Sequence, residues 1–169
     1  NCHTAFLSAA ALLDLDVTWV DDVTNLNVTS DYAALYVTSP DYLGQICDIS
    51  ALARLCHRQG VKLLVDNAHG AYLKFLPRDI HPITLGADMC CDSAHKTLPA
   101  LTGAGYLHIS KDAPESFVEN AREKLSLFSS GCRAPLLLLS LLFLLLFLFF
   151  RIFSQNFFLF FSARLLDFL

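Results

Sequence analysis

The chain has 169 residues, which is the length of about one domain. Its formal net charge of −4 and its pI near 5.8 give no electrostatic reason to expect nucleic-acid binding. Composition divides it in two: residues 1–130 read as an ordinary soluble α/β protein, and residues 131–169 are rich in Leu and Phe. Because the first residue is Asn1 and not Met, we expect an interior piece of a longer protein.

The first 130 residues alternate between helical and extended patterns. Apolar spacing predicts helices over 1–13, 48–59 and 113–127, and apolar runs predict strands over 17–20, 32–37, 62–65, 89–92 and 104–109. Segment 21–31 is a polar loop and segment 70–82 is irregular. This alternation predicts an α/β fold with a mainly parallel sheet and helices on both faces.

Six cysteines are present, and none has the Cys-x-x-Cys spacing of a zinc or redox site. Cys90 and Cys91 are adjacent in a predicted strand, so their side chains should point to opposite faces. Free cysteine behaves as a small, buried apolar residue, and free thiols fit a reducing compartment. We therefore expect a cytoplasmic protein.

Two predicted strands lead into ionisable residues: one into Asp66, the other into Ser93, His95 and Lys96. In open α/β sheets, ligands bind at the carboxyl ends of the strands. A poorly hydrated lysine amine attacks aldehydes, and a carboxylate keeps a pyridine nitrogen protonated. We interpret Lys96 as forming a Schiff base with pyridoxal 5'-phosphate and Asp66 as pairing with the ring nitrogen. A cap or turn role for Asp66 is the alternative.

The histidines show no metal-binding pattern. His69 and His95 have no carboxylate or cysteine at matching spacing, so we expect no metal site around them. We interpret His57, His81 and His108 as structural.

Several short segments resemble the motifs of one enzyme family. One is Ser93-Ala94-His95-Lys96-Thr97-Leu98, which resembles the cofactor-attachment signature of the ornithine/lysine/arginine decarboxylase family. Further resemblances are found at 1–5 (Asn-Cys-His-Thr-Ala), 38–44 (Thr-Ser-Pro-Asp-Tyr-Leu-Gly), 66–71 (Asp-Asn-Ala-His-Gly-Ala) and 86–88 (Gly-Ala-Asp). Together these matches span about residues 1–130 in the right order.

The resemblance implies a pyridoxal-phosphate enzyme of the aspartate aminotransferase fold, with residues 1–130 forming part of its large cofactor-binding domain. The implied reaction is decarboxylation of ornithine, lysine or arginine by a homodimer or larger assembly. The same Lys/Asp pair would also serve an aminotransferase or another lyase. An inactive fragment is the third alternative, because Thr4-Ala5 replaces the family's Lys-Ser and the family's continuation after Ser130 is missing.

The resemblance also assigns roles to individual residues. Lys96 would be the Schiff-base lysine and Asp66 the ring-nitrogen partner. Ala68 would pack against one face of the ring and His3 would stack on the other. The phosphate would be held with help from Ser93 and His95.

The Leu/Phe tract has three interpretations. The apolar run over 136–150, interrupted only by Ser140, is shorter than the roughly 20 residues that cross a bilayer. Extension to Phe161 would include Arg151, Gln155 and Asn156. A buried helix would be apolar all round. We favour a frame-shifted product, since Leu, Phe and Ser share pyrimidine-rich codons. We expect this segment to be helical, with membrane association only through residues 136–161.

Overall fold

The structure is a computed structural model that describes residues 2–21, 26–100, 103–129 and 157–161. Its elements in chain order are α1 (Thr4–Leu12), β1 (Asp16–Val20), β2 (Tyr32–Thr38), α2 (Ile49–Arg58), β3 (Lys62–Asp66), the 3-10 helix η1 (Ala71–Phe75), β4 (Met89–Ser93), α3 (Ala94–Thr97), β5 (Gly105–Ile109), α4 (Glu115–Ser129) and β6 (Phe157–Phe161).

The strands of the described residues form one sheet in the order β1-β6-β2-β3-β4-β5. Neighbouring strands are parallel except β4 and β5, which are antiparallel. The mainly parallel α/β sheet expected from the sequence is therefore confirmed. Strands β3 and β4 are almost completely buried, as continuous apolar runs covered on both faces should be.

Each face of the sheet carries its own core. On one face, α1 and Phe117 of α4 pack on inward side chains of the strands, which are Ala34, Tyr36, Leu64, Met89 and Cys91. On the other face, α2 packs on Leu35, Val37, Leu63, Val65 and Cys90. Cys90 and Cys91 therefore do point to opposite faces, and both are buried free thiols.

The ends of α2 follow from its sequence. Asp48 is the N-cap, and its carboxylate accepts a hydrogen bond from the Ala51 N–H at 2.9 Å. Gly60 follows the last turn with φ of +73°, a left-handed conformation that glycine adopts without strain. The buried stripe has the helical spacing expected from the sequence and consists of Ile49, Leu52, Ala53 and Cys56.

Some local predictions were wrong. Residues 71–75, expected to be irregular, form η1, which is too short to show a clear apolar period. Lys96 lies in the four-residue helix α3, which apolar spacing did not predict. The apolar spacing that predicts the first and last helices includes Leu7 and Val118, yet these side chains are 45% and 59% exposed. Each follows a buried phenylalanine, and one step along a helix turns the side chain by about 100°.

The C-terminal segment differs most from expectation. Phe157–Phe161 forms β6, which lies between β1 and β2 and is parallel to both. The expected helix is therefore wrong at these five residues. Aromatic residues favour strands, and central strands read as continuous apolar runs. Predictions for residues 130–156 and 162–169 lie outside the described residues. Among the helices that the structure describes, none has the length and apolar character to cross a bilayer.

Candidate active site

Asp66 ends β3, and its carboxylate is buried among hydrogen-bond donors. The residue is 8% exposed. The Tyr36 hydroxyl donates to Oδ2 at 3.1 Å, and the Ala68 N–H donates to Oδ1 at 3.1 Å. The Cys91 thiol lies 3.8 Å from Oδ1. These donors replace much of the hydration that the carboxylate loses on burial.

Tyr36 connects this carboxylate to the helix α1. In the pairing of β2 with β3, Thr38 is opposite Asp66, and Tyr36 lies two residues before Thr38. Because side chains alternate along a strand, Tyr36 and Asp66 lie on the same face of the sheet. The Tyr36 ring stacks on Phe6 with centroids 4.5 Å apart. Burial, followed by the nearby Asp66 and Cys91, raises the pKa of Tyr36 well above its ordinary value. The phenol therefore stays protonated and remains a donor to Asp66.

Lys96 meets His69 at the carboxyl ends of β3 and β4. The short helix α3 follows β4 directly and places the Lys96 Nζ 3.4 Å from the His69 Nε2. Burial lowers the pKa of His69, and the Lys96 ammonium lowers it further, whereas Asp66 acts in the opposite direction. His69 is thus neutral at neutral pH, and its Nε2 accepts a hydrogen bond from the Lys96 Nζ. Its ring lies within electrostatic reach of both Lys96 and Asp66.

Two more residues act on His69. Tyr42, in the loop after β2, contacts it edge-on with ring centroids 5.0 Å apart. His3 caps α1, its Nδ1 accepting from the Ala5 N–H at 3.2 Å, and it also contributes to the lowered pKa of His69. Ala68, which lies between Asp66 and His69 in the sequence, is half-buried. The opening motif is therefore brought to the same end of the sheet as the two later ones.

Ser93 and His95 flank the start of α3. Ser93 ends β4 and is 2% exposed. The His95 Nδ1 donates to the Ala104 carbonyl at 3.0 Å. In the neutral ring Nε2 is then an acceptor, so His95 can donate from Nε2 to an anion only when it is protonated.

The turn after β3 requires glycine at its end. The Gly70 N–H donates to the Asn67 carbonyl at 2.8 Å. A Cβ added to Gly70 would lie 1.9 Å from the Asn67 Oδ1 and 2.6 Å from the Pro40 Cδ. No side chain fits there, which explains the glycine of the Asp-Asn-Ala-His-Gly motif.

A second buried carboxylate, Asp92, lies near the end of β4. It accepts from His81 and His108 at 3.0 and 2.9 Å and from the Asn67 Nδ2 at 2.6 Å. Burial alone would raise the pKa of Asp92, but the hydrogen bonds from His108, His81 and Asn67 outweigh it and hold the pKa well below its usual range. His81, Cys90 and Asp92 also place possible metal-ligand atoms within 4.8 Å of one another. Sequence spacing did not indicate this group, because its members come from separate segments.

The structure thus gathers most of the residues predicted from sequence. Asp66, Lys96 and His3 all act on His69, and Ser93 and His95 lie at the start of α3. Sequence reasoning gave His69 no role and missed Tyr36 and Tyr42. Tyr36 had a usable signal, since a phenol in a buried strand needs a hydrogen-bond partner. The ring contact between Tyr42 and His69 had no signal, because it depends on the folded loop after β2.

Comparison with known proteins gives this arrangement a context. The family model described as "Orn/Lys/Arg decarboxylase, major domain" matches residues 17–134, which is more than half of the chain. The chain belongs to the Orn/Lys/Arg decarboxylase family. The resemblance seen in the motifs is therefore confirmed, and membership implies pyridoxal phosphate as the cofactor and amino-acid decarboxylation as the family's type of reaction. Asp66 and Lys96 both lie inside the matched range.

Individual relatives agree with the family. The uncharacterized protein YaaO of Bacillus subtilis (strain 168) is 38% identical over 86 residues, which are 50% of this chain and 18% of YaaO. Arginine decarboxylases of Bacillus subtilis (strain 168) and Bacillus cereus are 33% and 30% identical over 119 and 115 residues. Each alignment covers 66% of this chain and 22% or 24% of the relative. The chain therefore spans about a fifth of the length of these relatives.

A solved structure supports the fold. The cystathione gamma lyase CalE6 of Micromonospora echinospora superposes with a TM-score of 0.51 at 18% identity, over 83% of this chain and 45% of that one. At this identity the likeness concerns the arrangement of helices and strands alone.

Proposed function

We propose that the chain is the cofactor-binding part of a decarboxylase that acts on ornithine, lysine or arginine, with Lys96 as the Schiff-base lysine. The observation that carries the proposal is the meeting of Lys96, His69 and Asp66 at one end of adjacent parallel strands, in a member of this family. Arginine decarboxylases among the relatives support a basic amino acid as the substrate.

The residues present fit pyridoxal phosphate. A protonated pyridine nitrogen needs a buried anionic acceptor, and Asp66 is a carboxylate at 8% exposure. A carboxylate has about four lone-pair sites, so the bonds from Tyr36 and Ala68 leave room for another donor. Ser93 and a protonated His95 would hold the phosphate, and Ala68 and His3 would lie against the ring. The bound cofactor supplies the electron sink for the charge left by decarboxylation.

The chain's own side chains would handle the protons. Asp66 holds the ring-nitrogen proton, and the Tyr36 hydroxyl keeps that carboxylate oriented from behind. His69, neutral because of burial and the adjacent ammonium, accepts a hydrogen bond from the Lys96 Nζ at its Nε2. This contact would hold the Lys96 amine 3.4 Å from the His69 ring and orient it for attack on an aldehyde.

The intact enzyme is proposed to be a cytoplasmic homodimer or larger assembly that binds only small-molecule substrates. The loop after β2 supports an assembly, because it presents Tyr42, Leu43 and Ile46 at 58%, 66% and 44% exposure next to His69. Sedimentation of the intact enzyme at several concentrations tests this point.

The proposed function is tested by trapping the Schiff base. Pyridoxal phosphate is added to the full chain, the visible absorbance is recorded, and borohydride reduction is followed by peptide mass analysis. We expect a phosphopyridoxyl group on Lys96, no trapped product in Lys96→Ala, and a normal product in the control Lys111→Ala, which alters an exposed lysine. Equal labelling of wild type and Lys96→Ala would end the proposal. Carbon dioxide release from the three amino acids, measured against keto-acid formation, then separates decarboxylase from aminotransferase.

A further inference from the structure

A buried polar link joins the end of β3, which carries Asp66, to the end of β4, which leads into α3 and Lys96. Asn67 follows β3 directly, and Asp92 is the penultimate residue of β4. The Asn67 N–H donates to the Cys91 carbonyl at 2.9 Å, and its Nδ2 donates to the Asp92 Oδ1 at 2.6 Å. Asn67 is 0% exposed and Asp92 is 3% exposed. Water therefore has little access to either group.

Asp92 is anchored from two other segments as well. The Nε2 atoms of His81, in the loop after η1, and of His108, in β5, donate to its Oδ2 at 3.0 and 2.9 Å. Asp92 alternates with Cys91 along β4, so it faces away from Asp66, which the Cys91 thiol contacts. The carboxylate thus lies behind the candidate active site and does not line it.

We propose that Asp92 and Asn67 are positioning residues that hold the ends of β3 and β4 together and thereby fix the spacing between Asp66 and Lys96. This inference rests on the proposed function, which makes those two residues the working pair. Asp66 immediately precedes Asn67, and Lys96 comes four residues after Asp92. A shift of one strand end would therefore move one member of the pair without the other. A displacement of about 1 Å in such a pair can cost about 100-fold in rate.

The hydrogen-bond pattern favours this role over a metal site. The Ile83 N–H approaches the His81 Nδ1 at 3.4 Å, which makes Nδ1 the acceptor. The His81 Nε2 then carries the ring proton and donates it to Asp92. In a metal-bound histidine one ring nitrogen binds the metal and the other carries the proton, which it donates to a carboxylate or carbonyl. In His81 the Nδ1 is an acceptor, and the Nε2 that faces Asp92 carries the proton.

The same strand offers a matched control at its other end. Asp88, just before β4, is 4% exposed and accepts from the His57 Nε2 at 2.8 Å and the Leu63 N–H at 2.9 Å, with the Lys62 ammonium at 3.3 Å. Asp92→Asn and Asp88→Asn each remove one buried charge; Asp88 has three partners, and Asp92 has four because the Cys90 thiol also lies 3.5 Å from its Oδ1. The two carboxylates lie on opposite ends of a strand and are separated by about 13 Å along it.

The first measurement is amide hydrogen exchange of the full chain without cofactor. We expect Asp92→Asn to speed exchange over residues 66–70 and 93–98 by about tenfold, which equals about 1.4 kcal/mol of local opening free energy. Asp88→Asn should leave these two segments unchanged. Asn67→Ala removes one of the donors to Asp92 and should act like Asp92→Asn. It serves as the test if Asp92→Asn does not fold.

The second measurement is pyridoxal phosphate affinity, read from Schiff-base absorbance. We expect about a tenfold loss in Asp92→Asn and none in Asp88→Asn. Equal exchange in both variants, or unchanged exchange in Asp92→Asn, would overturn the positioning role. Stoichiometric zinc in the wild type that is lost in Asp92→Asn would overturn it too. If the wild type forms no Schiff base, the proposed function fails, while the exchange comparison still decides whether the strand ends are held by this link.

Discussion

The hydrogen bond from Tyr36 to Asp66 allows a precise test of how the candidate site is built. Tyr36→Phe removes only the hydroxyl, so the stack on Phe6 remains and no cavity forms. The hydroxyl is 3.1 Å from the Asp66 Oδ2, and the two residues are 1% and 8% exposed. A buried hydrogen bond to a charged group contributes about 1.5–3 kcal/mol. We expect Tyr36→Phe to lower the free energy of unfolding by that amount at pH 7.

The assay is urea unfolding followed by circular dichroism and by fluorescence of Trp19, the single tryptophan of the chain. A double-mutant cycle with Asp66→Ala should give a coupling energy of about 1.5–3 kcal/mol. The matched control is Tyr106→Phe, whose ring is 51% exposed and which should change stability by less than about 0.5 kcal/mol. A coupling energy below about 0.5 kcal/mol, the size of the stability change expected for the control, would show that the buried phenol does not support the carboxylate. The geometric account of Asp66 would then fail.

Three further predictions concern the scaffold. Gly70→Ala should destabilise the fold by about 1–3 kcal/mol, because its Cβ would lie 1.9 Å from the Asn67 Oδ1; Gly44→Ala, with no atom within 4 Å of its Cβ, tests the left-handed strain alone. Burial, followed by nearby carboxylates, raises the pKa of the Cys90 and Cys91 thiols well above its ordinary value. Because these thiols ionise only in the unfolded chain, the free energy of unfolding should fall above about pH 8.5, by up to about 1.4 kcal/mol per pH unit for each thiol. Alanine at both positions should reduce this decrease when unfolding is measured as a function of pH. Leu159→Pro should orphan a ladder group of β6 and cost about 1–3 kcal/mol in urea unfolding, whereas Leu159→Val should cost less; equal costs would contradict the strand.

Much of the scaffold was predictable because its signals are local. Asp48 and Gly60 mark the ends of α2 through capping chemistry that needs no tertiary contact. The apolar runs of β2, β3 and β4 exceed what a half-exposed strand would carry, which indicates burial on both faces. By contrast, the sequence does not show that Leu7 and Val118 are exposed, because an apolar residue beside a buried phenylalanine gives no separate signal.

The candidate site was predictable only in part. Asp66 and Lys96 could be found because parallel strands end at a common edge of the sheet, so two polar ends in sequence become neighbours in space. The roles of Tyr36 and His69 depend on which strand lies next to which and on the path of a turn. The link between Asn67 and Asp92 was invisible for the same reason: its members are 25 residues apart, and each alone reads as a turn or strand residue.

The strand β6 shows most clearly where sequence reasoning ends. A short apolar run has the same composition in a buried helix and in a central strand, so periodicity could not separate them. Parallel neighbours are joined by long crossovers, and sequence order therefore does not reveal that residues 157–161 lie between β1 and β2. This position has a consequence for the site. The strand β2 pairs with β6 on one side and with β3 on the other, where Thr38 is opposite Asp66. The segment 157–161 therefore supplies backbone hydrogen-bond partners to β2, the strand that carries Tyr36. Loss of β6 would leave one edge of β2 unpaired, and β2 is separated only by β3 from β4, the strand that leads to Lys96.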